Sequence, residues 1–253
     1  MWPEIAKAKK EQRHELILSG EGVSERIKET GILDESLYEL TELNFLRISQ
    51  TCLNALSTSI AQLHDLTSLV LNHNELEFLP DNLTALTGLR LLDISANKLE
   101  QLPESIGQFS SLLTLEASHN CLTNMPDLSG MTNLHELLLT SNQLETLPTG
   151  ISALQHLHTI RVNYNKLSTL PENLNELDML KELDVAHNRL KDLPVNIVIC
   201  QKLKVLDVRK NVFSDRKLQK LSDVDSNHCK PIQKYLKPLF DKQSQSSGGT
   251  IKS

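Results

Sequence analysis

The chain has few of the features that mark membrane or nucleic-acid-binding proteins. Its 253 residues contain no run of about 18 consecutive apolar residues, which is the length that a transmembrane helix needs. The formal net charge is -6, so the chain as a whole does not attract a phosphate backbone. Aromatic residues make up only 4% of the composition, which leaves few platforms for stacking bases. We therefore expect a soluble domain whose default partner is neither a membrane nor nucleic acid.

Cysteine is scarce, and the spacing of the four cysteines does not suit disulfides. Cys52 and Cys121 hold the same position of a repeated pattern three repeats apart. At the usual strand spacing this separation is about 14 Å, well beyond the roughly 7 Å limit between bridged Cα atoms. Cys200 stands at a core position and Cys229 in the C-terminal flank, so the clustered end cysteines of extracellular repeat domains are missing. This predicts a cytoplasmic protein, with the nucleus as an alternative.

The sequence also lacks the local motifs that carry chemistry. It contains no Cys-x-x-Cys or His-Glu-x-x-His ligand pattern, no Gly-x-x-x-x-Gly-Lys phosphate loop and no Gly-x-Ser-x-Gly elbow. His73 and His119 share a repeat position, but they lie two strands apart, about 9.6 Å, whereas zinc ligands each approach one ion to about 2.1 Å. An open arc of repeats also offers no pocket that excludes water from a carboxylate pair. We expect no metal, no cofactor, no small-molecule substrate and no enzymatic activity.

What the sequence does contain is one phrase of eleven residues, present in eight copies. The phrase reads Leu-x-x-Leu-x-Leu-x-x-Asn-x-Leu or a close variant, and it recurs every 22 to 23 residues. One copy cannot bury its leucines alone, so the copies must stack, with the asparagine turning the chain and bonding neighbouring repeats. The copies open at Leu43, Leu66, Leu89, Leu112, Leu134, Leu157, Leu180 and Leu203.

This phrase is the leucine-rich repeat signature, and it predicts an α/β solenoid. We expect a leucine-rich repeat horseshoe with a parallel β-sheet on its concave side and short helical or 3-10 turns on its convex side. The outer turns follow from the second half of each copy, in which a proline precedes two leucines three residues apart. The fourth copy is one residue shorter around Pro126 to Met131, which should tighten the outer arc there.

Both flanks of the repeats predict helical caps. A charged helix is expected over residues 3–15, followed by a degenerate repeat in which Leu16, Leu18 and Val23 face inward. Two short helices, 214–221 and 231–240, should cover the last strand. The predicted division of the chain is an N-terminal helical cap with a degenerate repeat (1–42), eight leucine-rich repeats (43–213), a C-terminal helical cap (214–240) and a disordered linker (241–253).

The candidate functional surface is the concave sheet face, because alternate strand residues there point away from the core. Carboxylates dominate the exposed positions three and five of the phrase in the middle and later strands. Stacked on strands about 4.8 Å apart, they would steer a basic partner segment towards the face. The residues predicted to bind the partner are Asp93, Glu116, Glu136, Tyr164, Glu182, Asp184 and Asp207. This pattern predicts a non-enzymatic intracellular protein–protein interaction module or adaptor. A merely solvated face is the alternative reading.

The flanks carry more distinctive motifs than the repeats do. They contain Trp2-Pro3-Glu4, Gln12-Arg13-His14-Glu15-Leu16-Ile17-Leu18-Ser19-Gly20 and Glu25-Arg26 at the start, then Asp215-Arg216-Lys217-Leu218 and Ile232-Gln233-Lys234-Tyr235-Leu236 near the end. In these motifs the chain resembles the family of leucine-rich-repeat-containing protein 47. The repeats, with their Leu-x-x-Leu-Pro turns, also resemble the large intracellular group that includes Ras-pathway scaffolds.

The first resemblance implies an alternative function, that of an RNA-associated or translation-linked accessory factor. In that family a charged linker leads to a second domain similar to the tRNA-editing-type fold of the phenylalanyl-tRNA synthetase beta subunit. We expect this chain to be an isolated first domain, a short isoform or an incomplete product, with no catalytic residue implied. The predicted sheet face offers only Phe45 and Tyr164 for stacking, and the basic residues that accompany them are Arg47, Arg161, Arg209 and Lys210. This set is small and the face is acidic, so RNA binding is disfavoured.

Overall fold

Nine parallel strands form a single sheet in chain order in the computed structural model, which describes residues 1–224 and 228–247. Each strand pairs only with its sequence neighbours, as the stacking of identical repeats requires. The predicted leucine-rich repeat horseshoe is therefore confirmed. The strands are β1 (Glu15–Ser19), β2 (Phe45–Ser49), β3 (Ser68–Val70), β4 (Leu91–Asp93), β5 (Thr114–Glu116), β6 (Glu136–Leu138), β7 (Thr159–Arg161), β8 (Glu182–Asp184) and β9 (Val205–Asp207).

The sheet is held in register by one fully buried side chain at the centre of each three-residue strand, β3 to β9. Leu115 pairs with Leu137, and Leu137 pairs with Ile160, so position four of every copy meets the same position of its neighbours. These side chains have no solvent exposure, while the residues on either side of them point to the opposite face. One face of the sheet thus closes over the leucine core, and the other face is left for solvent or a partner.

The buried asparagines tie each repeat to the one before it. Asn142 donates from Nδ2 to the carbonyl of Ala117 at 3.0 Å and to that of Leu139 at 3.1 Å, and its Oδ1 accepts from the backbone N–H of Leu122 at 3.0 Å. The same arrangement recurs down the column, and Thr51 replaces asparagine in the first copy, where its hydroxyl donates to Asn74 at 2.6 Å. The predicted role of the column in joining neighbouring repeats is confirmed.

Short 3-10 turns form most of the outer side, as the sequence predicts. They span Glu35–Glu39, Thr58–Gln62, Asp81–Ala85, Glu104–Gln108, Thr149–Ala153, Glu172–Glu176 and Val195–Ile199. A proline stands immediately before five of them, and before Thr58–Gln62 the side chain of Ser57 caps the turn by accepting from the N–H of Ser59 at 3.2 Å.

The shortened fourth copy has no 3-10 turn among its described residues, and its neighbours approach closely there. A Cβ atom on Gly107 would overlap the carbonyl oxygen of Asp127, and one on Gly130 would overlap the carbonyl oxygen of Gly107. Only glycine tolerates such an approach of backbone to backbone. The outer arc is tightened at this place, in agreement with the prediction from repeat length.

The caps contain four α-helices, α1 (Pro3–Lys10), α2 (Glu21–Thr30), α3 (Arg216–Ser222) and α4 (Cys229–Ser247). The degenerate repeat forms β1, with Leu16, Leu18 and Val23 buried as predicted. At the other end, the backbone N–H of His228 donates to the carbonyl of Leu206 at 3.0 Å, and α4 packs on β9 and on the last 3-10 turn. This cap covers the final strand edge, which would otherwise expose unpaired backbone groups.

Two helix boundaries differ from the predictions. Helix α1 ends at Lys10 instead of residue 15, because Gln12 adopts a left-handed φ of 50° and the chain turns into β1. Helix α4 continues to Ser247, past the predicted end at residue 240, so the prediction of linker for 241–247 was wrong. An ion pair of 3.0 Å between Lys237 and Asp241 joins the two parts of this helix on one face. The rest of the predicted linker, 248–253, lies outside the described residues.

The inside and outside of a central strand give a direct stability test. We expect Leu137→Ala to lower the free energy of unfolding by about 2 to 5 kcal/mol, because it leaves a cavity in a fully packed core. Its strand neighbour Glu136 is exposed, so Glu136→Ala should change stability by less than about 0.5 kcal/mol. Urea denaturation followed by circular dichroism measures both. Equal losses would contradict the assignment of the two faces.

The asparagine column gives a second test. Asn142→Ala removes the partners of three buried backbone groups and should lower stability by about 3 kcal/mol, since each unpaired buried group costs about 1 to 3 kcal/mol. Asn163 serves as the matched control, because it is half-buried and its side chain accepts from the Thr140 hydroxyl at 2.6 Å instead of pairing with buried backbone groups in the described part of the chain. Asn163→Ala should lose about 1 kcal/mol or less in the same denaturation experiment. Similar losses in both variants would show that burial of the column is unimportant.

Candidate functional site

Positions three and five of the phrase form two columns on the open face of the sheet. The register aligns them across the strands, so that Thr114, Glu136 and Thr159 are direct neighbours, and Leu138, Arg161 and Asp184 likewise. Neighbouring residues of a column are therefore one strand spacing apart. The structure brings Glu136, Glu182, Asp184 and Asp207 onto one continuous part of the face, and Asp93 and Glu116 onto the strands before it.

The four carboxylates of position five hold their own turns. Each accepts a hydrogen bond from the backbone N–H two residues later, at 3.0 Å in Asp93, 2.8 Å in Glu116, 3.1 Å in Asp184 and 3.0 Å in Asp207. This contact stabilises the bend that follows each strand. All four side chains are half-buried. The sequence predicts that these side chains point outward from the core, and the structure adds that each of the four also holds a backbone N–H of its own turn.

The remaining predicted carboxylates are more accessible. Glu136 is exposed and accepts only a long 3.3 Å hydrogen bond from the hydroxyl of Thr114. Glu182 is half-buried and accepts from Nε of Arg161 at 2.7 Å. This hydrogen bond is partly opposed by desolvation, and the net effect raises the pKa of Arg161. Of the six predicted carboxylates, Glu136 has the most freedom to meet a partner.

The aromatic ring of Tyr164 stands on the same side of the molecule. It is 52% exposed and stacks on His187, with ring centroids 4.0 Å apart and planes 13° from parallel. Stacking fixes the ring while one of its faces remains open, which is the state of a pre-ordered aromatic anchor. The His187 imidazole therefore restrains the Tyr164 ring although the ring is not buried in the core.

Backbone geometry explains the placement of Tyr164, and the sequence reasoning missed it. Position eight is left-handed in every copy, with φ between 52° and 58° in Gln50, His73, Ala96, His119, Ser141, Tyr164, His187 and Lys210. A left-handed residue projects its side chain away from the regular strand direction. The repeated asparagine one position later is the signal that could have revealed this, because it marks where the chain turns.

Asp184 and Asp207 experience opposite electrostatic environments although they are paired on adjacent strands. Burial raises the pKa of Asp184, and the charges of Asp207 and Glu182 add to the rise against the hydrogen bond from Ala186. Burial also favours a raised pKa at Asp207. The hydrogen bonds and the charge of Arg209 outweigh this effect and hold the pKa of Asp207 below its usual value. The Arg209 guanidinium lies 2.6 Å from Asp207 Oδ2.

The described residues offer no constellation for metal chemistry. No group of three or more histidine, cysteine or acidic side chains among residues 1–224 and 228–247 is arranged to hold a metal ion. A recess of about 690 Å³ lies between α1 and β1, and its lining includes Lys7, Arg13, His14 and Ile17. Its lining also includes Glu15, and Glu15 and Ile17 pair with Phe45 and Arg47 of β2, so the recess lies at the N-terminal end of the open sheet face, whereas the predicted carboxylates lie on β4 to β9. In the same described part of the chain, no helix has the length and apolar character needed to cross a bilayer.

Comparisons with known proteins support the repeat assignment. The leucine-rich repeat family model matches residues 65–122 and 132–190, which is just under half of the chain. A search of curated proteins gave no match. Among solved structures, a leucine-rich repeat protein of Leptospira interrogans superposes with a TM-score of 0.70 at 31% sequence identity, covering 76% of this chain and 50% of that one.

Two further structures have the same fold. The ectodomain of the Arabidopsis thaliana membrane receptor kinase GASSHO1/SCHENGEN3, in complex with CASPARIAN STRIP INTEGRITY FACTOR 2, gives a TM-score of 0.66 at 27% identity, covering 78% of this chain and 24% of that one. The internalin inlF of Listeria monocytogenes gives 0.63 at 28% identity, covering 76% and 56%. The chain thus spans between about a quarter and just over half of the length of these three proteins.

The contrast between Asp184 and Asp207 predicts opposite effects of removing their charges. Asp184→Asn keeps an oxygen that can accept from the Ala186 N–H. It should stabilise the protein at neutral pH by about 0.5 kcal/mol, because a carboxylate whose pKa is raised in the folded state destabilises that state when it is ionised. The gain should vanish as the pH falls and Asp184 becomes protonated. Asp207→Asn should instead destabilise at neutral pH, and this loss should shrink as acid protonates Asp207. Thermal melts from about pH 3 to pH 7 test both signs.

Proposed function

From a chain that carries leucine-rich repeats and folds as a leucine-rich repeat horseshoe, we propose a non-enzymatic adaptor that binds a protein partner through its concave face. Leucine-rich repeat domains generally mediate protein–protein interaction. The observation that carries the proposal is the exposure of Glu136 on a sheet face that the core does not use, together with the exposure of the stacked Tyr164 in the bend that follows β7. The GASSHO1/SCHENGEN3 ectodomain, which shares the fold, was solved in complex with CASPARIAN STRIP INTEGRITY FACTOR 2.

The contact region is centred on β6 to β8. Tyr164 supplies the apolar anchor, since a partly exposed aromatic ring held by its neighbour loses little side-chain freedom on binding. Glu136 supplies an accessible negative charge one strand before it. The four carboxylates of position five act mainly through the field they create, because their oxygens already accept backbone hydrogen bonds.

The partner segment that suits this surface is basic. Positions three and five of β4 to β9 carry six carboxylates and one arginine, Arg161. Arg161 is itself engaged by Glu182, and Asp207 by Arg209, so the charge that remains is negative. Such a field raises the encounter rate with a lysine- or arginine-rich segment and weakens as salt is added.

We also propose that the protein acts inside the cell, in the cytoplasm or the nucleus. All four cysteines, Cys52, Cys121, Cys200 and Cys229, are free thiols in the structure, which suits a reducing compartment. The flank motifs support placing the chain with the family of leucine-rich-repeat-containing protein 47.

That family likeness favours a second candidate function, an RNA-associated or translation-linked accessory role. Its support is the set of flank motifs, from Trp2-Pro3-Glu4 to Ile232-Gln233-Lys234-Tyr235-Leu236. The acidic sheet face opposes direct RNA contact by this surface. The two candidates differ in what should be recovered with the protein from an extract.

The test measures binding of a fluorescent lysine- and arginine-rich peptide, together with affinity capture from a cytosolic extract. The double variant Glu136→Lys with Tyr164→Ala removes the accessible charge and the anchor, and it leaves in place the position-five carboxylates that accept backbone hydrogen bonds of the turns. We expect it to weaken peptide binding about tenfold and to lose captured proteins, since a central aromatic and a charge are typical determinants of an interface. Captured material is analysed for both protein and RNA.

A matched control changes the same residue classes on another surface. Glu104 and Phe78 are both exposed and lie near the outer turns, so Glu104→Lys with Phe78→Ala alters charge and aromatic content equally. This control should keep peptide binding and the captured proteins. Equal binding by the concave-face variant and the wild type would move the docking site elsewhere. RNA retained by both variants, with no protein lost, would favour the translation-linked candidate.

A further inference from the structure

A cluster of basic and imidazole side chains lies beside the concave face. It comprises His135, His156, His158, Lys181 and Lys202, and we call it the histidine–lysine flank. His135, His158 and Lys181 stand immediately before β6, β7 and β8, while His156 and Lys202 lie in the turns before β7 and β9. Equivalent positions in successive repeats are about one strand spacing apart. The cluster therefore forms a compact patch at the entry ends of the strands.

The imidazole of His135 contacts both of the other imidazoles of the flank. The rings of His135 and His158 are stacked, with centroids 5.0 Å apart and planes 7° from parallel. The ring of His156 meets His135 edge-on at 6.1 Å, and its Nδ1 lies 2.9 Å from the carbonyl oxygen of Thr132. Contacts of this kind hold the rings in place, and a proton added to any of them adds positive charge to the same small area.

The charges that act on His158 come from several elements. Burial lowers its pKa most, and the positive charges of Lys181, His135, His156 and Lys202 lower it further. Four basic groups therefore lie within electrostatic range of one imidazole. An anion bound at the flank would offset this repulsion and favour protonation of His158.

The nearest carboxylates do not neutralise the flank. Glu136 follows His135 and is contacted by Thr114, whereas Glu182 follows Lys181 and pairs with Arg161. Asp178, on the turn before β8, is exposed. Within residues 1–224 and 228–247, none of the five flank side chains takes part in an ion pair, and Nζ of Lys202 rests 2.7 Å from the uncharged Sδ of Met179.

We propose that the histidine–lysine flank is a second docking site, which binds an acidic segment of a protein partner more tightly as the pH falls. Two lysines and three imidazoles present several hydrogen-bond donors to carboxylates along one side of the solenoid. The charge of the site is opposite to that of the concave face. Its proposed ligand is therefore the chemical opposite of the basic segment assigned to that face.

An acidic peptide suits the flank better than RNA does. The imidazole rings are already engaged with each other, so they offer few free faces for bases to stack on. The carboxylates of Glu136, Asp178 and Glu182 border the patch and would repel a continuous phosphate backbone. A short run of glutamates can instead place single carboxylates against the lysines and avoid the acidic border.

The test uses a fluorescein-labelled peptide of alternating glutamate and glycine, with EDTA present so that no metal ion bridges the histidines. Fluorescence anisotropy should show binding about threefold tighter near pH 6 than near pH 7.5, because a carboxylate beside His158 opposes the burial and the positive charges that lower its pKa, so that proton uptake and peptide binding favour each other. Lys181→Gln with Lys202→Gln should weaken binding about tenfold at either pH. His158→Gln should keep most of the affinity at the higher pH but reduce its dependence on pH.

The matched control replaces two lysines of α1, Lys7→Gln with Lys10→Gln, which alters net charge by the same amount elsewhere. This control should bind the glutamate peptide as the wild type does, and all variants should show unchanged thermal melts. Equal weakening by the control would overturn the proposal in favour of general charge attraction. Tighter binding of a single-stranded oligouridylate than of the peptide, lost in the flank variant, would overturn it in favour of RNA. Binding that is indifferent to pH in the wild type would refute the role of the imidazoles.

Discussion

The hydrogen bonds of the buried asparagine column are the interaction on which the rest of the structure depends. An unpaired carbonyl or N–H in the dry core costs about 1 to 3 kcal/mol, and each asparagine satisfies three of them in two adjacent repeats. The column therefore fixes where every strand must end and bend. Strands of three residues with identical register follow, and so does a face on which equivalent positions of all repeats are aligned.

The bend that the column imposes also determines which side chains are available for function. Position five lies just before the bend, and its carboxylates are used to hold the N–H groups of the turn. Position eight is forced into left-handed backbone, which displaces its side chain from the strand direction and leaves Tyr164 accessible. Exposure alone is thus a poor guide to the binding residues of such a face. Glu136 and Tyr164 differ from the position-five carboxylates in their side-chain contacts. Glu136 accepts from the Thr114 hydroxyl and Tyr164 stacks on His187, so neither side chain is used to hold a backbone N–H of a turn.

Sequence periodicity was sufficient to predict the fold because the same pattern of buried leucines occurs in all eight copies of the repeat. It predicted the core leucines, the asparagine column and the tightened fourth repeat, since each depends only on spacing. It could not predict that Asp93 or Asp184 would cap a turn, because an acidic residue on an outward position has the same pattern whether it faces solvent or its own backbone. The extension of α4 to Ser247 was missed because its glutamine- and serine-rich end has a composition that is also typical of linkers, whereas the structure continues the helix with the Lys237–Asp241 ion pair and a hydrogen bond from the Ser244 hydroxyl to the Phe240 carbonyl.

The two proposed surfaces have opposite charge and lie side by side, which constrains how a partner would sit. The acidic concave face ends where its strands begin, and there the histidine–lysine flank starts, with His135 directly before Glu136 and Lys181 directly before Glu182. A partner with a basic segment alone would be attracted to the face in either direction along the solenoid. A partner that carries basic and acidic segments together could match both signs in one orientation only, because reversal would place like charges against each other. Adjacent patches of opposite charge would therefore fix the orientation of a partner as well as attract it.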